Sequence, residues 1–252
     1  MTDTVMSADE HGQFPEPKNK RLVVFCTPTI KKPHPEYLKS LAASLPAIEA
    51  AGYEHRAIFT VDGPYISHNR ASMTRKALDV KADIIVYIDH DLSWTPQCLL
   101  KLIQTDGDVV AGTYRFKKDE ETYMGTITTD GKGFPVVRTD GCISAQWVPA
   151  GFLKVTKEAI NSFMRQYPEL VYGPHYNPSI DLFNHGAYER LWYGEDFRFS
   201  QRWLEKCGPI WIVPDLNLTH HSETEGFPGN FHQYLLRQPG GSQDPARDKA
   251  NE

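Results

Sequence analysis

The chain has 252 residues, a formal net charge of −5 and 40% hydrophobic residues, which is enough for one large domain with a sizeable core. The acidic balance argues against a nucleic-acid partner, because binding to phosphate backbones normally needs a basic surface. No apolar run reaches the ~18 residues of a membrane helix, and the N-terminal residues lack the apolar core of a signal peptide. Four scattered cysteines without a C-x-x-C pair are typical of reduced, buried thiols. We therefore expect a cytoplasmic protein without integral membrane association, and its oligomeric state stays open.

The composition divides the chain into three parts. Residues 1–20 are polar and predict a flexible leader, and residues 242–252 predict a disordered tail. Residues 21–241 are expected to form a single domain. The alternation of strand and helix patterns stops after Tyr114, so we separate a first half, 21–114, from a second half, 115–241.

Strand and helix patterns alternate along the first half. Strands are predicted at 22–26, 57–61, 84–88 and 108–112, and helices at 36–51, 67–80 and from 95 onward. This alternation favours a doubly wound, mostly parallel α/β sheet with helices on both faces. In the second half, residues 115–146 predict a small antiparallel excursion or a mobile loop, and residues 172–190 a site-forming loop. Further elements are predicted as strands at 146–155 and 209–214, a helix after Thr156 and a helix at 193–206.

The most informative motif is Asp89-His90-Asp91, which follows the apolar run at residues 84–88. That run has no polar alternation and predicts a strand buried on both faces. Ligands of open α/β sheets bind just beyond the carboxyl ends of such strands. Mg²⁺ and Mn²⁺ prefer carboxylates together with substrate phosphates. The motif therefore predicts a metal–diphosphate site, although an acidic turn in which Asp91 caps the next segment fits it equally well.

Polar residues also follow the first two predicted strands. Thr27-Pro28-Thr29 ends the first strand, and Asp62 ends the second. A nucleotide can lie along this edge of the sheet, with Asp62 accepting a hydrogen bond from the base or the ribose. Arg70, beside Asn69 near the start of a predicted helix, can reach a phosphate or the ribose. Asp62-Gly63-Pro64 is equally typical of a plain turn, and Arg70 of a solvated helix face.

Two further groups carry possible chemistry. Glu195 and Asp196 open a helix, where carboxylates are favourable for dipole reasons alone but where one can also act as a general base on a hydroxyl. Trp192, just before them, can stack on a sugar ring. His220 and His221 follow the last predicted strand, and an imidazole can complete a Mn²⁺ shell beside carboxylates.

Together, these elements resemble a GT-A glycosyltransferase of the family-2-like type, over Leu22 to about Tyr234. The match is in the order and spacing of the elements, since no single one is decisive. The elements are Thr27-Pro28, Asp62, Asn69-Arg70, Asp89-His90-Asp91, Gly194-Glu195-Asp196 and His220 or His221. The resemblance implies a GT-A-type, Rossmann-like α/β fold. In it, residues 21–114 bind the nucleotide sugar, and residues 115–241 bind the acceptor and supply the catalytic groups.

The resemblance also implies a role for each matching residue on the donor side. It implies that Asp91 binds Mn²⁺ or Mg²⁺ and that Asp89 contacts the metal or the donor ribose. His220 or His221 would complete the metal shell. The residues that would bind the nucleotide are Thr27, Pro28, Asp62, Asn69, Arg70, Asp89 and His90.

On the reaction side, the resemblance implies a hexosyl- or related transferase that moves a sugar from a nucleoside-diphosphate sugar to a hydroxyl acceptor. UDP-sugar is favoured and GDP-sugar is next, because the family commonly uses UDP. Asp196, next to Glu195, would be the catalytic base of an inverting reaction. Because GT-A enzymes of both kinds exist and the Glu195-Asp196 match is short, a retaining reaction stays open. The segment 149–152 would shape the pocket for the donor sugar and the acceptor, which is a glycan or another hydroxyl compound.

Two other functions stay open. A metal-dependent nucleotidyltransferase on a similar fold would need a glycine- and lysine-rich loop after the first strand, and residues 27–33 contain no glycine. A non-catalytic carbohydrate-binding protein would use the aromatic loops instead. A processive synthase is disfavoured, because Gln201-Arg202-Trp203 matches the acceptor signature of such enzymes only in its letters.

Overall fold

The computed structural model of the chain describes residues 20–30, 32–61, 63 and 65–238. The predicted tail, and all but the last residue of the predicted leader, lie outside the described residues. The described α-helices are Pro35–Ala50 (α1), Ile66–Asp79 (α2), Pro96–Gln104 (α3), Lys157–Gln166 (α4), Glu195–Lys206 (α5) and Phe231–Leu236 (α6).

Most of the strands are short. They are Leu22–Thr29 (β1), Glu54–Val61 (β2), Ile84–Ile88 (β3), Leu92–Trp94 (β4), Val109–Ala111 (β5), Thr126–Ile127 (β6), Ile143–Trp147 (β7), Phe152–Thr156 (β8), Val171–Tyr172 (β9), Ser179–Ile180 (β10), Gly186–Tyr188 (β11), Leu191–Tyr193 (β12), Trp211–Ile212 (β13), Asn217–His221 (β14) and Gly226–Asn230 (β15).

The central sheet has eight strands in the order β2-β1-β3-β8-β5-β13-β7-β6. β1 pairs in parallel with both β2 and β3, whereas β8 is antiparallel to its neighbours β3 and β5. β13 is parallel to β5, and β7 is antiparallel to β13 and β6. Only β8 and β7 therefore run against the other strands, and the predicted α/β fold with a mostly parallel sheet is confirmed.

Helices cover both faces of this sheet, so β1 and β3 are buried on both sides. Alternate residues enter two different cores. Val24 and Tyr87 pack in a core that includes Phe163 of α4 and Trp203 of α5. Their chain neighbours pack in the other core, with side chains of α1 and α3. The continuous apolar pattern of these strands is what a two-sided sheet requires.

The strand predicted over residues 146–155 is wrong in its extent. The chain forms β7 and β8 there, separated by a turn at residues 148–151. Pro149 lies in this turn, where its missing N–H breaks the ladder. β8 then enters between β3 and β5, so the sheet contains strands from both halves of the chain.

A second, smaller sheet has the order β15-β14-β4 and is antiparallel. β4 follows the Asp89–Asp91 turn directly, so this sheet brings the distant C-terminal strand β14 beside that turn. Among the helices of the described ranges, none combines the length and the apolar character needed to cross a membrane.

Candidate functional site

Asp89 is held on three sides at the carboxyl end of β3. Its backbone N–H donates to the Gly151 carbonyl at 2.9 Å. One carboxylate oxygen accepts a hydrogen bond from Arg70 Nη2 at 2.9 Å, and the other accepts one from the Tyr114 hydroxyl at 3.1 Å. Both oxygens are therefore engaged within the protein, and the orientation of this carboxylate is fixed.

Arg70 joins the aspartate motif to the helix that carries the second acidic pair. Its Nη1 donates to Glu195 Oε1 at 2.8 Å while Nη2 binds Asp89, and its side chain is only 2% exposed. Its guanidinium also lies 5.3 Å from the ring centre of Phe183. Arg70 is thus the buried cation that links two of the predicted acidic elements.

Asp91 faces His220 across the end of the small antiparallel sheet. His220 Nε2 lies 3.6 Å from Asp91 Oδ2, and His220 Nδ1 lies 2.8 Å from the carbonyl oxygen of Arg115. A carbonyl only accepts hydrogen bonds, so Nδ1 is the protonated nitrogen. In the neutral ring, Nε2 therefore presents its lone pair towards the carboxylate. The Lys117 ammonium contacts the same carboxylate oxygen.

His221 points to the other face of its strand. Its ring stacks on His34 with centroids 4.4 Å apart, and its Nε2 hydrogen-bonds the Ser93 hydroxyl at 2.7 Å. Of the two histidines that the sequence left open, only His220 faces Asp91.

A cavity of about 190 Å³ lies along the edge of the sheet beside these carboxylates. Several predicted nucleotide-binding residues line it together with Asp91 and His220, namely Pro28, Asn69, Asp89 and His90. Thr27 does not: it is buried, and its hydroxyl bonds to Tyr37. Asp62 lies outside the described residues.

Asp196 lies in the first turn of α5, next to Glu195. One of its oxygens accepts a hydrogen bond from the Phe197 N–H at 2.7 Å. Burial, with the nearby charge of Glu195, raises the pKa of Asp196 to about 6, and Arg70 partly offsets this rise. The carboxylate is therefore ionised at neutral pH but is a stronger base than an ordinary aspartate.

Two residues at this site were missed from the sequence. Tyr114 binds Asp89 and packs its ring edge on His220, with centroids 5.0 Å apart. Lys117 contacts Asp91. Both follow β5, so the rule that ligand sites lie beyond strand ends would have pointed to Tyr114. Lys117 lies in a segment that the sequence assigned to the acceptor region.

Gly151 leaves room for the Tyr114–Asp89 contact. A Cβ at this position would lie 2.1 Å from the Tyr114 hydroxyl oxygen and 2.3 Å from Asp89 Oδ2. We expect Gly151→Ala to displace both groups and to lower the free energy of unfolding by about 1–3 kcal/mol, as overpacking of a buried site does. Chemical denaturation measures this loss. Gly131→Ala is the control, because nothing lies within 4 Å of its Cβ; equal stabilities of the two variants would contradict the prediction.

No protein-family model matches the chain, and no curated protein matches it significantly. Among solved structures, it is similar to A197 from STIV, at 16% identity and a TM-score of 0.48 over 83% of this chain and 94% of that one. It is also similar to a Drosophila β1,4-galactosyltransferase 7 in complex with manganese, UDP-Gal and xylobiose, at 12% identity and a TM-score of 0.44 over 92% and 80%. The inositol-1-phosphate CTP transferase from T. maritima matches at 9% identity and a TM-score of 0.41 over 91% and 94%. Because these values are low, they carry no conclusion about what this chain does.

Proposed function

We propose that this protein is a metal-dependent glycosyltransferase that moves a sugar from a nucleoside-diphosphate sugar to a hydroxyl acceptor. The observation that carries the proposal is the Arg70 bridge. It joins Asp89 at the end of β3 to Glu195, which lies 125 positions from Arg70 along the chain. The bridge thereby ties Asp89, which lines the proposed donor cavity, to the start of α5, which carries the basic carboxylate of Asp196.

The proposed donor site is the cavity lined by Asn69, His90 and Asp91. It opens at the carboxyl ends of β1 and β3, where ligands of α/β sheets bind. Asn69 is held there by a hydrogen bond from its side-chain amide to the Gly63 carbonyl at 2.8 Å. We assign the base and the ribose to this cavity, with UDP favoured over GDP by the family resemblance.

Asp91 and His220 fit a divalent cation. Asp91 Oδ2 and His220 Nε2 face one another at 3.6 Å. The Arg115 carbonyl accepts from Nδ1 and holds the ring, so Nε2 is the nitrogen that can bind a metal when the ring is neutral. Among the described residues, no group of three or more His, Cys, Asp or Glu side chains could hold a metal. Two protein ligands completed by phosphate oxygens and water are typical of Mg²⁺ and Mn²⁺ sites. When bound, such an ion supplies positive charge to the leaving diphosphate.

The other residues of the network position the reacting groups. Arg70 and Tyr114 fix Asp89, which we assign to the donor ribose. Glu195 is bound to Arg70, so it holds the start of α5 in place. Asp196 is left as the base that accepts the proton of the acceptor hydroxyl as that oxygen attacks the anomeric carbon. Attack from the face opposite the leaving group inverts that carbon.

A calorimetric titration with UDP and with GDP, each with and without Mn²⁺, tests this function. We expect one nucleotide to bind in a Mn²⁺-dependent way. Asp91→Asn should weaken that binding by about 10- to 100-fold or more, because a direct metal ligand is lost and even the outer-shell partners of a metal site are worth that much. Asp215→Asn is the matched control, since Asp215 also pairs with a lysine, Lys101, but on the exposed surface. Nucleotide binding that ignores both Mn²⁺ and Asp91 would contradict the proposal.

A further inference from the structure

A lysine ammonium stands where the proposed cation would bind. Lys117 Nζ contacts Asp91 Oδ2, the same oxygen that His220 Nε2 faces. Asp91 is 18% exposed and Lys117 34% exposed, so the pair is shielded but not sealed from water. The carboxylate already has a counter-ion in the protein alone.

The backbone that carries Lys117 is anchored, whereas its side chain has space to move. Arg115, two residues earlier, pairs with Tyr123 in a β-bridge and supplies the carbonyl that binds His220. Lysine itself has a flexible four-carbon stem. A second cavity of about 800 Å³ lies beside Asp91, and Lys117, Lys32 and His34 are among its lining residues. The ammonium can therefore leave Asp91 without any displacement of the strand that holds His220.

We propose that Lys117 is an exchangeable counter-ion, which leaves Asp91 when the divalent cation binds and then pairs with the diphosphate of the donor. This inference rests on the proposed function. A cation at Asp91 and an ammonium on the same oxygen repel each other, so the two compete for that position. The donor brings phosphate oxygens, for which a lysine is a common partner. Lys117 then neutralises the charge that grows on the leaving diphosphate as its bond to the sugar breaks.

The proposal makes two predictions of opposite sign for Lys117→Gln. Affinity for Mn²⁺ alone should rise, on the order of tenfold, because the competing charge is gone. Affinity for UDP at saturating Mn²⁺ should fall by a similar factor, because a charged phosphate contact is lost. The first is measured by electron paramagnetic resonance of free Mn²⁺, and the second by calorimetry, with GDP in a parallel series.

Lys118→Gln is the matched control. Lys118 is the next residue, and its ammonium pairs with Glu120 at 3.1 Å on the exposed surface. We expect this variant to match the wild type in both titrations. Wild-type Mn²⁺ and UDP affinities in Lys117→Gln would overturn the role of Lys117 while leaving the proposed function intact. Absence of Mn²⁺-dependent nucleotide binding in the wild type itself would overturn the proposed function, and this inference with it.

Discussion

Replacement of Arg70 by methionine is expected to destabilise the protein strongly and to disable the site at the same time. The guanidinium is 2% exposed, whereas its partners Asp89 and Glu195 are 25% and 23% exposed. Without Arg70, these two carboxylates and the neighbouring Asp196 lose their shared counter-charge. Breaking a buried ion pair costs about 3–5 kcal/mol, and partial exposure of the carboxylates reduces this to about 2–4 kcal/mol. Chemical denaturation at neutral pH measures the loss.

Arg237→Met provides the control for this prediction. Arg237 also pairs with a glutamate, Glu121, at 2.6 Å, but its side chain is 57% exposed. An exposed pair of this kind contributes about 0.2–1 kcal/mol, so this variant should remain close to the wild type. Similar losses of stability in the two variants would show that the bridge from Arg70 to Asp89 and Glu195 stabilises the fold no more than a surface ion pair does.

Arg70 also lowers the pKa of Asp196. In Arg70→Met this pKa should therefore rise, and the acidic limb of the pH–activity profile should move to higher pH.

The elements of the first half could be predicted because each has a local signature. β3 reads as an unbroken apolar run, and the structure buries all of its residues. The helix after Thr156 was also predictable, since the Thr156 hydroxyl accepts the Ala159 N–H as an N-cap does. The order of the strands in the sheet, in contrast, could not be predicted from the sequence. β8 is as fully buried as β3, so its composition does not reveal that it runs antiparallel between β3 and β5.

Residues of the candidate site could be predicted from the sequence only where they directly follow a predicted strand. Asp89 and Asp91 follow a strand, and the sequence therefore indicated them directly. The contact between Arg70 and Glu195 was not readable, because it spans 125 positions and depends on how α2 and α5 pack on the sheet. A preference for His220 over His221 also needed the structure, since the two alternate across one strand and only the pairing of β14 decides which faces Asp91.

Asp196→Asn is expected to remove activity while making the folded protein more stable at neutral pH. A general base contributes about 10²- to 10⁴-fold to a rate, so turnover of the sugar nucleotide should fall by about that factor. The amide keeps an oxygen that can accept the Phe197 N–H, so the first turn of α5 retains this contact. The loss therefore concerns the ionisable group rather than the start of the helix.

The stability gain follows from the direction of the pKa shift. Burial raises the pKa of Asp196 from its ordinary value of 3.8 to about 6, so the folded state binds its proton more tightly than the unfolded state. The stability from this proton is present below about pH 4 and is lost as the pH rises through about 6. Each pKa unit corresponds to about 1.4 kcal/mol, and partial solvent access leaves an expected gain of about 1–3 kcal/mol for Asp196→Asn at pH 7.5.

Chemical denaturation of the wild type and of Asp196→Asn at pH 7.5 and at pH 4.5 measures this gain in stability. The gain should be clear at pH 7.5 and smaller at pH 4.5.

Glu158→Gln is the control, because Glu158 is also an acidic residue in the first turn of a helix, α4, but is exposed. Its loss should cost about 0.3–1 kcal/mol at neutral pH through the helix dipole, the opposite sign to Asp196→Asn. A buried base destabilises the fold that positions it, whereas a capping carboxylate stabilises its helix. If Asp196→Asn were less stable than the wild type at pH 7.5, Asp196 would be a carboxylate that stabilises its helix, and its assignment as the base would be wrong.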